Sequence, residues 1–133
     1  MPETILVVDD DQDFLDATSN LLEAVGYTVH IAMNEKDAIE VGREAKPDLI
    51  LLDLIMERAD SGFSLAHKFR AMPETSDAGI IVITGVTELL GHRFSLNTPE
   101  ERNWIKADMF LEKPIRPEDL IGHIHQLLEH KVA

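Results

Sequence analysis

The sequence predicts an α/β domain: a five-stranded parallel sheet with helices on both faces. Three features point there. Short apolar runs recur along the chain, among them Ile5-Leu6-Val7-Val8, Leu49-Ile50-Leu51-Leu52 and Ile80-Ile81-Val82-Ile83. Between the runs, apolar residues return every three or four positions, the period of a helix lying on a sheet. Several runs stop on a polar residue, as at Asp9, Asp53 and Thr84. Strands alternating with helices give parallel pairing, and right-handed crossovers carry every strand's carboxyl end to one edge.

Thr4 to Val8 is the first strand, apolar and rich in β-branched residues. Asp9-Asp10-Asp11-Gln12-Asp13 follows, with Asp11 and Asp13 suited to capping a helix. That helix places Phe14, Leu15, Thr18, Leu21, Leu22 and Val25 on one face, and Gly26 sits where a left-handed cap belongs. Tyr27 to Ala32 alternates and reads as strand two. Asn34 caps helix two, which has Glu35 and Asp37 in its first turn, buries Ala38, Ile39, Gly42 and Ala45, and stops at Pro47. The unbroken run Leu49 to Leu52 is a strand buried on both faces. Helix three is expected from about Phe63 to Met72, with Phe63, Ala66, Phe69 and Arg70 at helical spacing. Pro73 to Ala78 is a polar turn, and Gly79 to Thr84 is strand four. Val86 to Ala107 reads as a short or broken helix with an irregular insertion. Asp108 to Leu111 is strand five, closed by Glu112-Lys113-Pro114. Pro117 opens a last helix whose inner face is Leu120, Ile121, Ile124, Leu127 and Leu128.

Composition narrows the function. The chain has 133 residues, room for one domain spanning 1–133, with 44% hydrophobic and 28% charged residues. No apolar run approaches the roughly 18 residues that cross a bilayer, and the N-terminus lacks a basic signal-peptide region. A cytoplasmic protein is expected. The absence of cysteine removes disulfides, thiolate metal sites and thiol catalysis. A net charge of −13 repels phosphate backbones, so direct nucleic-acid binding is not expected. Six histidines are present, but none pair at i, i+4, and they read as surface residues rather than zinc ligands.

The chemistry gathers at the strand ends. Asp9 and Asp10 follow strand one, Asp53 ends strand three, Thr84 ends strand four and Lys113 follows strand five. In an open α/β sheet this edge is where ligands bind. Clustered carboxylates repel, so one protonates or a cation binds, and hard oxygen ligands suit Mg²⁺. Lys113 can pair with a phosphoryl oxygen, and Thr84 can donate a hydrogen bond to another. Asp53 is then a carboxylate nucleophile able to form an aspartyl-phosphate.

Asp9-Asp10, Leu51-Leu52-Asp53-Leu54, Thr84-Gly85 and Lys113-Pro114, in this order, resemble the receiver domain of two-component response regulators. The resemblance covers essentially the whole chain and implies a flavodoxin-like sheet of order 2-1-3-4-5. It implies that Asp53 accepts phosphate from a histidine kinase or histidine phosphotransfer protein. Asp10, Asp53, Asp9 through water, and the backbone carbonyl of Ile55 would hold Mg²⁺. Lys113 and Thr84 would bind the phosphoryl group, and Phe110 would be the aromatic switch that follows Thr84. The surface of helix four, strand five and helix five would meet an unidentified downstream protein, and a phosphorylation-dependent homodimer is among the assemblies it allows. The expected type is a stand-alone receiver that catalyses only its own phosphorylation and dephosphorylation.

The sequence departs from the family pattern twice. Met56 is followed by Glu57 instead of an early proline, with Gly62 about one residue late, and the Gly91–Trp104 stretch lengthens the approach to Lys113. Ile55 and Val86 stand at the family's two variable positions near the attacking water; both are apolar, which implies slow self-dephosphorylation. Two other readings compete. Haloacid-dehalogenase-type phosphatases also use an aspartate nucleophile, Mg²⁺, a threonine and a lysine, but need a second aspartate where this chain has Ile55. A receiver-like scaffold that binds partners without phosphate would not need the full polar set.

Overall fold

Alternating side chains along each strand supply both faces of the sheet. The structure, a computed structural model, describes residues 3–53, 61–84, 108–112 and 115–132, and of residues 53, 61–64, 84, 110, 112 and 130–132 the backbone alone. The strands are β1 (Thr4–Val8), β2 (Thr28–Ala32), β3 (Leu49–Asp53), β4 (Gly79–Thr84) and β5 (Met109–Glu112). They form one parallel sheet in the order β2-β1-β3-β4-β5. The helices are α1 (Gln12–Val25), α2 (Glu35–Ala45), α3 (Ser61–Ala71) and the last helix, α4 (Pro117–Val132).

Odd and even strand positions divide between two cores. Ile5, Val7, Leu49, Leu51, Ile81 and Ile83 pack with Leu15 and Leu22 of α1 and Leu120, Ile124 and Leu128 of α4. Leu6, Val8, Ile50, Leu52, Ile80 and Val82 pack with Ala38 of α2 and Leu65, Ala66 and Phe69 of α3. This is why the central strands are apolar without a break: both of their faces are covered.

The helix ends follow local chemistry. The Asp11 side chain accepts hydrogen bonds from the amides of Asp13 (3.0 Å) and Phe14 (3.4 Å), and Asn34 accepts from Asp37 (2.8 Å). Gly26 takes φ 115°, and the Gly26 and Tyr27 amides return to the carbonyls of Glu23 and Leu22. Pro47 disfavours a right-handed helical residue before it, and Lys46 leaves α2 through the left-handed region at φ 50°.

Several boundaries move. Tyr27 lies outside β2, because its amide still closes the end of α1. Val25, expected on the buried face of α1, is exposed, at the last position of that helix. Ala45 is half-buried, on the final turn of α2. Helix α3 opens two residues before the first apolar one. Strand β5 starts one residue late, because Asp108 is engaged in side-chain bonds to its neighbours. The predictions for Met56-Glu57, for Val86 and for the helix and insertion of 86–107 fall outside the described residues.

Candidate functional site at the carboxyl edge

Strand register decides which strand ends meet. Val8 of β1 stands opposite Leu52 of β3, so Asp9 and Asp53 each follow a paired position. Asp53 stands opposite Ile83 of β4, and Thr84 is one step beyond. Thr84 in turn stands opposite Glu112 of β5, the residue before Lys113. Neighbouring strands run about 4.8 Å apart, so the backbones of Asp9, Asp53, Thr84 and Glu112 share one edge.

The first turn after β1 is tightly built. The Asp9 amide donates to the Ala32 carbonyl (3.1 Å), which holds the chain against β2 as it leaves the sheet. The Asp9 carboxylate is buried, and its Oδ1 accepts the Asp11 amide (2.9 Å). Asp10, between them, is exposed. One acid is thus held by the backbone and the next faces solvent. Both are hard oxygen donors of the kind Mg²⁺ takes, so this pair fits such an ion. Among the described residues no three His, Asp or Glu side chains gather closely enough to hold a metal. The side chain of Asp53 is not among those described, and neither are those of Thr84 and Phe110; Ile55 and Lys113 lie wholly outside the described residues. The backbone of Phe110 sits within β5, opposite Val82.

A family model for the response regulator receiver domain matches residues 5–125. The chain belongs to that family. Its receiver domain is similar to the response regulator MprA of Mycolicibacterium vanbaalenii, 30% identical over 128 residues, covering 96% of this chain and 51% of that protein. It is also similar to the DNA-binding dual master transcriptional regulator RpaA of Synechocystis, 28% identical over 124 residues, covering 93% of this chain and 48% of that protein. The chain therefore spans about half the length of the curated relatives it matches. Among solved structures, a CheY-like receiver domain from Methanospirillum hungatei superposes with a TM-score of 0.81 at 28% identity, covering 98% and 97% of the two chains. A receiver domain from Bermanella marisrubri gives 0.77 at 29% identity, covering 96% and 99%. The expected parallel α/β receiver fold is thus the observed one, including the strand order.

Two sets of bonds that join the strand starts of the receiver sheet were not foreseen from sequence. Asp48 closes the opposite edge: its Oδ2 accepts the Thr4 amide (2.8 Å), its amide donates to the Thr4 carbonyl (2.8 Å), and its carbonyl accepts from Gly79 (3.0 Å). Arg70 and Asp108 form an ion pair at 2.7 Å across α3 and the start of β5. Their sequence separations of 44 and 38 residues leave no local pattern to read. Elsewhere, burial lifts the Tyr27 hydroxyl above its ordinary pKa, with the charges of Glu3 and Glu129 adding to the effect. No helix among the described residues is long and apolar enough to cross a membrane.

Proposed function

We propose that this receiver is a phosphoacceptor in two-component signalling, and that Asp53 takes a phosphoryl group from a histidine kinase or histidine phosphotransfer protein. The observation that carries the reading is the register, which brings the backbones of Asp9, Asp53 and Thr84 to adjacent positions at one edge. In the step, an Asp53 carboxylate oxygen attacks phosphorus. An O–P bond forms as the donor's N–P bond breaks, and the electron pair leaves with the imidazole nitrogen, which takes up a proton. Lys113 and Thr84 hold the phosphoryl oxygens by charge and by a hydrogen bond, so that charge spread over the transferring group is met by fixed donors. Asp9, Asp10, Asp53 and the Ile55 carbonyl would hold Mg²⁺, which when bound supplies positive charge against both the carboxylates and the phosphoryl group. Thr84 and Phe110 would pass the change to the surface expected of the helix within 86–107, β5 and the last helix, α4, where a downstream protein reads it.

The test is intact-mass measurement after incubation with Mg²⁺ and acetyl phosphate. Wild type should gain one phosphate and Asp53→Asn none. No gain with any phosphodonor would leave the phosphate-independent scaffold as the better reading. Generic phosphate esters should not be turned over; turnover would favour the phosphatase reading. The apolar Ile55 and Val86 give a phosphorylated form that decays slowly, and a half-life of seconds in purified protein would contradict that.

A further inference from the structure

The end of the sheet opposite Asp53 carries a junction that the phosphoacceptor reading does not use. One Arg70 guanidinium nitrogen donates to the carbonyls of Ser76 (3.1 Å) and Ala78 (2.5 Å). The other donates to Asp108 Oδ2 (2.7 Å). That same carboxylate oxygen accepts the Ile80 amide (2.8 Å), while the Asp108 amide donates to the Ile80 carbonyl (2.8 Å). The last turn of α3, the turn before β4, the start of β4 and the residue before β5 therefore meet at two side chains.

Stability alone is a weak account of this pair. The Asp108 side chain is 41% exposed and that of Arg70 23%, and ion pairs so open to water contribute little. Register is a better account. β5 is an edge strand of four residues. Met109 and Leu111 pack towards the α1 and α4 core, which opposes a slip by one residue, since that would turn both to the other face. A slip by two keeps both on the same face, so their packing opposes it less, and the remaining resistance comes from the strand pairings and from contacts tied to one position. A slip by two would carry the strand about 6.6 Å along the sheet. Asp108, bonded to both polar groups of Ile80, is a contact tied to one position, and it opposes such a slip directly.

We infer that Arg70 and Asp108 are positioning residues: they lock β5 in register on β4 and so fix where the chain leaves the sheet after Glu112. Lys113 is the next residue. The inference rests on the proposed role of Lys113 in phosphoryl transfer, and it gives α3 a direct hold on the strand that carries Phe110. A misplacement of about 1 Å can cost a reaction on the order of 100-fold, so even a partial loss of register would be visible in the rate.

The experiment compares wild type, Arg70→Met, Asp108→Ala and the milder Asp108→Asn, with acetyl phosphate and Mg²⁺. Intact mass gives the phosphorylation rate against donor concentration, and thermal unfolding gives the folded fraction. Cross-strand NMR contacts between Ile81 and Met109 report register directly. The expected result is a folded protein whose rate at saturating donor falls at least tenfold, with contacts from a second register appearing beside Ile81–Met109. Folded variants with the wild-type contacts alone and an unchanged rate per folded molecule would overturn the inference. If Asp108→Ala fails to fold, Asp108→Asn decides by the same two readouts. If wild type itself takes no phosphate, the phosphoacceptor reading fails, and the NMR contacts still decide whether the pair sets register.

Discussion

Asp9 and Asp53 follow the paired residues Val8 and Leu52 on adjacent strands, so two acids leave the sheet side by side at its carboxyl edge. Asp10 adds a third and is exposed, free of the backbone bond that holds Asp9. Adjacent carboxylates repel, and a bound cation relieves that repulsion. Mg²⁺ should therefore raise the thermal midpoint of wild type. A ligand at 100 times its dissociation constant stabilises by about 2.7 kcal/mol. Asp10→Asn should fold normally, and without Mg²⁺ should be no less stable than wild type, but the rise should shrink. An equal rise in both proteins would remove Asp10 from the metal site.

Asp48 binds three strand starts, those of β1, β3 and β4, and only its side chain can be removed without altering the backbone bonds. Asp48→Ala leaves the half-buried Thr4 amide without its carboxylate partner. The loss should be about 1–3 kcal/mol, since the lost bond is charge-assisted. Chemical denaturation should show a lower midpoint with an unchanged slope. Phosphorylation of the folded fraction should not change, because the Asp48 backbone bonds to Thr4 and Gly79 remain and keep β1, β3 and β4 in place.

How much of this was readable follows the range of the interactions. β1, β3 and β4 were legible as unbroken apolar runs because both faces of a central strand are covered, and the polar residues at their ends stood out for the same reason. Gly26 and Asn34 announced helix ends through chemistry confined to a few residues. The one-residue shift of β5 was not legible, because Asp108 reads as a strand residue until its bonds to Arg70 and Ile80 are known. The role of Asp48 was not legible for the same reason: its partner Thr4 lies 44 residues away.

Gly42 marks where α2 touches α3. A Cβ there would meet Phe69 Cε1 at 3.0 Å and Thr75 Cγ2 at 3.3 Å. Neither neighbour can yield: Phe69 is fully buried, and Thr75 is fixed by its hydroxyl donating to the Phe69 carbonyl at 2.6 Å. Alanine in a helix interior gains about 1 kcal/mol over glycine, while overpacking costs about 1–3 kcal/mol. The clash should win, and Gly42→Ala should lower the thermal midpoint. A midpoint above wild type would mean that α2 shifts freely on α3.

The Tyr27 hydroxyl is buried without a hydrogen-bond partner, and the Tyr27 ring lies 6.0 Å from that of His125. A hydroxyl in that position has lost water and gained nothing, so Tyr27→Phe should be neutral or stabilising by up to about 1 kcal/mol. The same burial raises its pKa, with Glu3 and Glu129 adding to the shift. The folded protein holds the phenolic proton more tightly than the unfolded chain, whose tyrosine ionises near 10. Below that pH both states are protonated and the stability is fully present. Above it the unfolded chain sheds its proton first, and stability falls as pH rises towards the folded value. Unfolding midpoints measured from pH 8 to 11 should therefore fall more steeply for wild type than for Tyr27→Phe. Parallel curves would show that the Tyr27 hydroxyl reaches water in solution.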